Sequence, residues 1–201
     1  MRILIGAVVG LLLSGCSVSL PQKTKPDSIW HLSPMPLQPV AVPEKRDLSL
    51  VVAQPWLASG YDTKQVIVHF ANGERNTLNG VVWTENYREW LRNYFIEGLQ
   101  SAKLFSTVTA NKKLRSDHWV LQLFVWDLSV HYPGRDSLGQ PTVKAKLAFS
   151  VSDGRGNRLL QQRILELQET VKDNRVEPIM AGFDKIIDRS FKEVVESLSS
   201  L

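Results

Sequence analysis

Residues Thr142 to Ser152 alternate polar and apolar side chains almost without a break. Val143, Ala145, Leu147, Phe149 and Val151 share one parity; Thr142, Lys144, Lys146, Ser150 and Ser152 share the other. A period of two marks a strand with one face in a core and one in water. Asp153-Gly154 follows, a pair suited to a hairpin turn, and Leu159 to Thr170 reads as the return strand with a polar, partly exposed face. Upstream, Trp119 to Val130 is a long apolar segment. Both parities are apolar around Leu123 to Trp126, so this strand is expected to be central and covered on both sides.

Shorter segments complete the pattern. Leu48 to Ala53 reads as a strand, and Gln65 to Phe70 with Asn76 to Trp83 read as a strand pair around Asn72-Gly73. Thr84 is positioned to cap a helix whose apolar residues Tyr87, Trp90, Leu91, Tyr94, Phe95, Leu99 and Ala102 fall on one face. Phe105 to Thr109 should return as a short strand. Pro178 suits the first turn of a second helix, striped by Ile179, Met180, Phe183, Ile187, Phe191, Val194 and Leu198. The expected fold is α+β: a largely antiparallel sheet of about six strands with two amphipathic helices packed on one face. With 43% apolar and 22% charged residues over 201 positions, the chain can bury a core of this kind. The net charge of +4 has no basic block beyond Lys112-Lys113-Leu114-Arg115, so no nucleic-acid footprint is visible.

The amino terminus has a different character. Met1-Arg2 precedes an apolar run, Ile3 to Leu13, which ends in Leu13-Ser14-Gly15-Cys16. As a helix the run spans about 16 Å, half a bilayer core, so it reads as a secretory segment rather than a membrane anchor. Its end resembles the bacterial lipobox. In that family of signals the cysteine becomes residue one after cleavage and carries a diacylglycerol. Cys16 is the sole cysteine, which leaves no intrachain disulfide or cysteine-built zinc site. Ser17 follows it where, in Gram-negative lipoproteins, Asp usually retains the chain in the inner membrane; the resemblance therefore implies an outer-membrane lipid anchor facing the periplasm. Residues 17–47 hold six of the ten prolines. The expected organisation is a cleaved signal over 1–15, a lipidated cysteine and tether over 16–28, and one domain over 29–201. Ile29 to Leu32 is either a short edge strand docking the tether or an exposed aromatic segment, and the strand is the preferred reading.

Few residues of the chain fall into patterns that carry chemistry. There is no phosphate-binding glycine loop with lysine, no G-x-S-x-G and no H-E-x-x-H. His31, His69, His118 and His131 are not spaced as local metal ligands. Asp117-His118 reads as a solvent-exposed loop pair. Asp127, inside an apolar strand, reads as the mark of a bulge or of emergence into solvent, with a general acid as the alternative. No cofactor, no metal and no enzymatic activity are expected. Two loops carry candidate partner contacts: Pro55 to Asp62, with Trp56, Leu57 and Tyr61, and His131 to Pro141, with Tyr132 and Arg135. For the first, a contact patch and a loop folded onto the core are equally supported.

Taken together, the lipobox, Trp30-His31-Leu32, Pro55-Trp56-Leu57-Ala58-Ser59-Gly60-Tyr61-Asp62, Val82-Trp83-Thr84-Glu85, Leu104-Phe105-Ser106-Thr107-Val108, Asp117 and the Asp153-Gly154 hairpin resemble the ABC-type transport auxiliary lipoproteins, the PqiC-like group, over roughly residues 29–198. The resemblance implies a non-enzymatic periplasmic subunit. It would accompany an MCE-domain protein and an inner-membrane ABC permease and ATPase that move phospholipids or other hydrophobic compounds, and could assemble as a homo-oligomeric ring. Only Cys16 transfers as a defined site; Trp56, Leu57, Tyr61 and Trp83 match the pattern without an assigned role. The alternative is a structural or assembly lipoprotein of the outer membrane without a transport role.

Overall fold

The computed structural model describes residues 28–31, 46–110, 117–134, 139–155 and 158–201. The signal segment, Cys16, the tether up to residue 27 and Arg135 lie outside the described residues. In chain order the elements are β1 (Ser28–Trp30), β2 (Arg46–Val52), β3 (Trp56–Leu57), β4 (Gln65–Phe70), β5 (Arg75–Trp83), α1 (Tyr87–Ala102), β6 (Phe105–Thr109), β7 (His118–Tyr132), β8 (Thr142–Asp153), β9 (Leu159–Thr170) and α2 (Val176–Ser199).

Among the described residues nine strands form one mixed sheet, which corrects the expectation of a largely antiparallel sheet of about six. β7 organises it. One edge of β7 pairs antiparallel with β8, and β8 with β9, as the alternation and the hairpin turn require. Its other edge takes three partners in succession, all parallel: β2 at His118 to Leu121, β3 at Phe124 and Val125, and β4 at Val130 to Tyr132. β6 joins β2 and β1 joins β5, also in parallel, leaving β4 and β5 as the antiparallel hairpin around Asn72-Gly73. Side-chain periodicity reports burial, not strand direction, so the parallel pairings have no signature in the sequence. β1 and β3, of three and two residues, are too short to show any period.

Both helices lie on one face of the sheet, the inner one. Phe191 of α2 meets Tyr94 and Phe95 of α1 at ring distances of 6.3 and 5.6 Å, and Phe183 stands edge-on to Trp83 at 5.2 Å. The inward residues of β8 are all buried, as are the seven apolar stripe residues of α2. The first helix is capped differently from expectation. Asn86 occupies the N-cap, whereas the Thr84 hydroxyl contacts the Trp30 carbonyl and His31 Nδ1, joining β1 to the end of β5.

Among the described residues, no helix covers the other face. The expectation that β7 is covered on both sides therefore fails: its inner residues Leu121, Leu123, Val125, Leu128 and Val130 are buried, while Trp126 is 39% exposed. The apolar parity that suggested a second layer forms an open surface instead.

Candidate functional site

A β-bulge decides what this outer face carries. Val125 pairs with Leu147, but Asp127 pairs with Lys146, so Trp126 and Asp127 together oppose a single residue of β8. The extra residue shifts the alternation by one. Phe124 and Trp126 point outward before it; Asp127, Ser129 and His131 point outward after it. The bulge-marking reading of Asp127 is correct, and the bulge joins two surfaces of different chemistry.

The first surface is aromatic. Trp56, Phe124, Ala148 and Ile164 form one row across β3, β7, β8 and β9. Trp56 is 47% exposed and Ile164 63% exposed. Phe124 and Trp126 stack with centroids 6.2 Å apart and planes 17° apart, and Trp56 tilts against both. Ile29, in register with Val82, belongs to the same face because its neighbour Trp30 packs on the core. Four of the large hydrophobic side chains exposed among the described residues, Ile29, Trp56, Trp126 and Ile164, thus share one sheet face.

The second surface is polar. Asp127 Oδ1 accepts hydrogen bonds from the Tyr61 hydroxyl (2.6 Å) and the Ser129 hydroxyl, and Oδ2 lies 2.8 Å from His131 Nε2. His131 Nε2 is also 3.1 Å from Ser129 Oγ, and His69 Nε2 is 3.2 Å from Tyr61 Oη. Each hydroxyl has one proton and gives it to the carboxylate, so both histidines must donate from Nε2. The two rings stack with centroids 5.2 Å apart on neighbouring strands, in register. The Arg75 guanidinium lies 5.0 Å over the Tyr61 ring and donates to the Gly60 carbonyl.

These contacts set the ionisation. Burial alone would raise the Asp127 carboxyl, but hydrogen bonds from His131, Ser129 and Tyr61 outweigh it and hold the group at about 2. Burial pushes the Tyr61 phenol up, helped by its bond to Asp127. Burial pulls His69 below its ordinary value; Asp127 opposes this, and His131 and Arg75 add to it. The cluster is therefore a carboxylate ringed by hydrogen-bond donors.

Serine, histidine and aspartate do not form a hydrolytic relay here. Asp127 and Ser129 address the same imidazole nitrogen, whereas a relay needs the two ring nitrogens to face opposite partners. Ser129 is also fully buried. Asp117 and His118 sit elsewhere: with Leu48, Trp119, Asp153, Gly154 and Arg155 they line an open depression of about 540 Å³. His118 is nine residues from Asp127 along β7, roughly 30 Å. Among the described residues no three His, Cys, Asp or Glu side chains are grouped to hold a metal ion.

The sequence-derived contact residues separate. Trp56 faces solvent, but Leu57 and Tyr61 are buried. The loop is clamped by Arg88, which donates to the Pro55 carbonyl at 2.8 Å and to Asp62 at 3.0 Å. Trp83 is buried, and Tyr132 packs on Phe70 at 5.7 Å. Sequence reasoning missed Phe124, Trp126 and Ile164. The available signal was the second apolar parity of β7 and one isoleucine inside a polar strand.

No protein-family model matches the chain, and no curated protein matches it. Solved structures do. The chain is similar to protein XCC0632 from Xanthomonas campestris, of the family DUF330, with a TM-score of 0.69 at 18% identity, covering 86% of this chain and 96% of that one. An uncharacterized protein matches with a TM-score of 0.68 at 15% identity, covering 87% and 99%. The hypothetical protein CT253 from Chlamydia trachomatis gives 0.51 at 10% identity, covering 77% and 98%. The chain shares their fold. At these identities the likeness extends to architecture alone: the mixed sheet and its two helices are a recurring arrangement.

Proposed function

We propose that this chain is a lipid-anchored accessory subunit of an envelope transport system of the MCE type, acting by docking to the transport assembly rather than by catalysis. The supporting observation is the outer face of the sheet, where Trp56, Phe124, Trp126 and Ile164 form an apolar patch that no element of the described chain covers. Clustered exposed aromatics are the composition of protein-contact centres. The polar cluster beside them holds its serine buried and its histidine misdirected for nucleophilic chemistry, which favours binding over turnover.

The amino-terminal sequence supplies the anchor. Among the described residues no helix is long and apolar enough to cross a membrane. A diacylglycerol on Cys16 with a further acyl chain gives stable attachment. Eleven tether residues, 17–27, reach about 34 Å when extended, which keeps the domain in a thin shell beside the bilayer and raises its effective concentration near a membrane partner.

The test is photo-cross-linking from position 56 in cells, in the native chain and in Cys16→Ala. The native chain should recover an MCE-domain protein, and Cys16→Ala should fold yet lose that product. Recovery of envelope-assembly components alone would favour a structural lipoprotein. Full activity of Cys16→Ala would refute anchoring as part of the mechanism.

A further inference from the structure

The polar cluster on the outer face brings two stacked imidazoles onto one carboxylate, Asp127. We infer that the His69–His131 pair is a proton-operated switch of the docking face: with both rings neutral the Tyr61–Asp127 contact closes the Pro55–Asp62 loop onto β7, and uptake of a proton by each ring parts the pair and loosens that loop. This rests on the reading of the outer face as a docking surface.

The geometry contains each part of such a device. Trp56 and Tyr61 are on the same short segment, held on β7 at two places. One is the ladder: Trp56 and Leu57 pair with Phe124 and Val125, and the Ala58 amide donates to the Val125 carbonyl at 2.9 Å. The other is the phenol bond to Asp127. His69 donates to the phenol oxygen rather than to the carboxylate, so it closes the far side of the latch.

The groups facing the pair leave one negative charge to share. From β7, His69 meets Asp127 and His131; from the loop, Tyr61; from β5, Arg75, in register with it. His131 meets Asp127 and Ser129 on its own strand, His69 on β4, and on β8 Thr142 in register, with Lys144 two residues further along. Lys146, opposite Asp127, is already paired with Glu166 at 2.7 Å. One imidazolium can be balanced by Asp127. A second, 5.2 Å away and beside Arg75, has no balancing anion among these groups. It is driven out of the stack or into competition with Tyr61 for Asp127 Oδ1, and either movement unfastens the latch.

The experiment is an NMR titration of the full chain in detergent from pH 8 to pH 5, with ¹³C-labelled histidine and 5-fluorotryptophan. The Trp56 fluorine resonance should move with the same midpoint as the second protonation of the histidine pair. His69→Gln keeps a donor for the phenol oxygen and removes the charge; it should match the native spectrum at pH 8 and reduce the Trp56 response at least tenfold. Tyr61→Phe should hold the Trp56 resonance near its acid position at every pH. A Trp56 signal that stays fixed while both histidines titrate overturns the switch, whatever the variants do; so does an undiminished response in His69→Gln. No partner is present in this titration, so its failure leaves docking standing. Loss of cross-linking at pH 8 beside an intact titration would instead refute docking and, with it, the switch's role there.

Discussion

Trp126 and Asp127, consecutive in the chain, leave β7 on the same face, because the pair opposes the single residue Lys146 across the ladder. The aromatic surface and the carboxylate cluster therefore meet at one peptide bond. Asp127 is the keystone of the polar half, accepting from Tyr61, Ser129 and His131. Asp127→Ala leaves three donors without their acceptor and should cost about 3 kcal/mol in urea denaturation. Asp127→Asn keeps one carbonyl oxygen and should cost about half as much. Tyr61→Phe should cost about 1 kcal/mol, and the Tyr61→Phe/Asp127→Ala double variant should fall short of the sum, because both remove the same contact.

The same cluster gives stability a pH dependence of fixed sign. His69 is lowered in the folded state, so the unfolded chain binds its proton more tightly. Its contribution is complete above about 6.5 and is lost as the pH falls through the folded value. Asp127, held at about 2 against an ordinary 3.8, contributes about 2 kcal/mol above pH 4 that disappears as the pH falls toward 2. Denaturation midpoints should therefore drop in two stages on acidification. His69→Gln should remove the upper stage and leave the lower; Asp127→Asn should remove the lower. A single stage in the native chain would contradict this account.

Gly182 fixes the distance between α2 and the sheet. A Cβ at this position would lie 2.9 Å from Val143 Cγ2 and 3.2 Å from Val171 Cγ2. In an isolated helix, Gly→Ala gains about 1 kcal/mol. Here the added methyl meets β-branched neighbours whose side chains are stiff, and overpacking costs about 1–3 kcal/mol. Gly182→Ala should be neutral to destabilising in thermal melts, reversing the propensity. Relief by Val143→Ala in the same background would tie the effect to this contact.

What the sequence made legible follows from which interactions leave a local pattern. The alternation of residues 142–152 and the stripe of Ile179 to Leu198 report burial directly, and both elements form as read. Parallel pairing of β2, β3 and β4 along β7 depends on contacts far apart in the chain, so it left no trace. The polar cluster was invisible for the same reason: Tyr61, His69 and Asp127 come from three elements, and only the one-residue shift at Trp126 turns Asp127 toward the others. Within the loop, Trp56 and Leu57 read alike as large apolar neighbours. Strand pairing of β3 sends one outward and the other into the core.

That division of Trp56 from Leu57 gives the sharpest separation of folding from docking. Trp56 and Trp126 are about half and two-fifths exposed, so their replacement removes only the buried part of each ring. Trp56→Ser with Trp126→Ser should cost up to about 6 kcal/mol, and less to the extent that the two rings bury only each other. Leu57 is 8% exposed and packs in the core. Leu57→Ser creates a cavity and buries a hydroxyl, and should cost about 3–4 kcal/mol. If the outer face docks a partner, the double tryptophan variant, probed from position 164 in the same row, should lose cross-linking beyond what its unfolded fraction accounts for. Leu57→Ser should lose cross-linking only in proportion to its unfolded fraction. Cross-linking retained by the double tryptophan variant would move the contact off this face, and a loss that only matches its unfolded fraction would show that the aromatic row serves the fold.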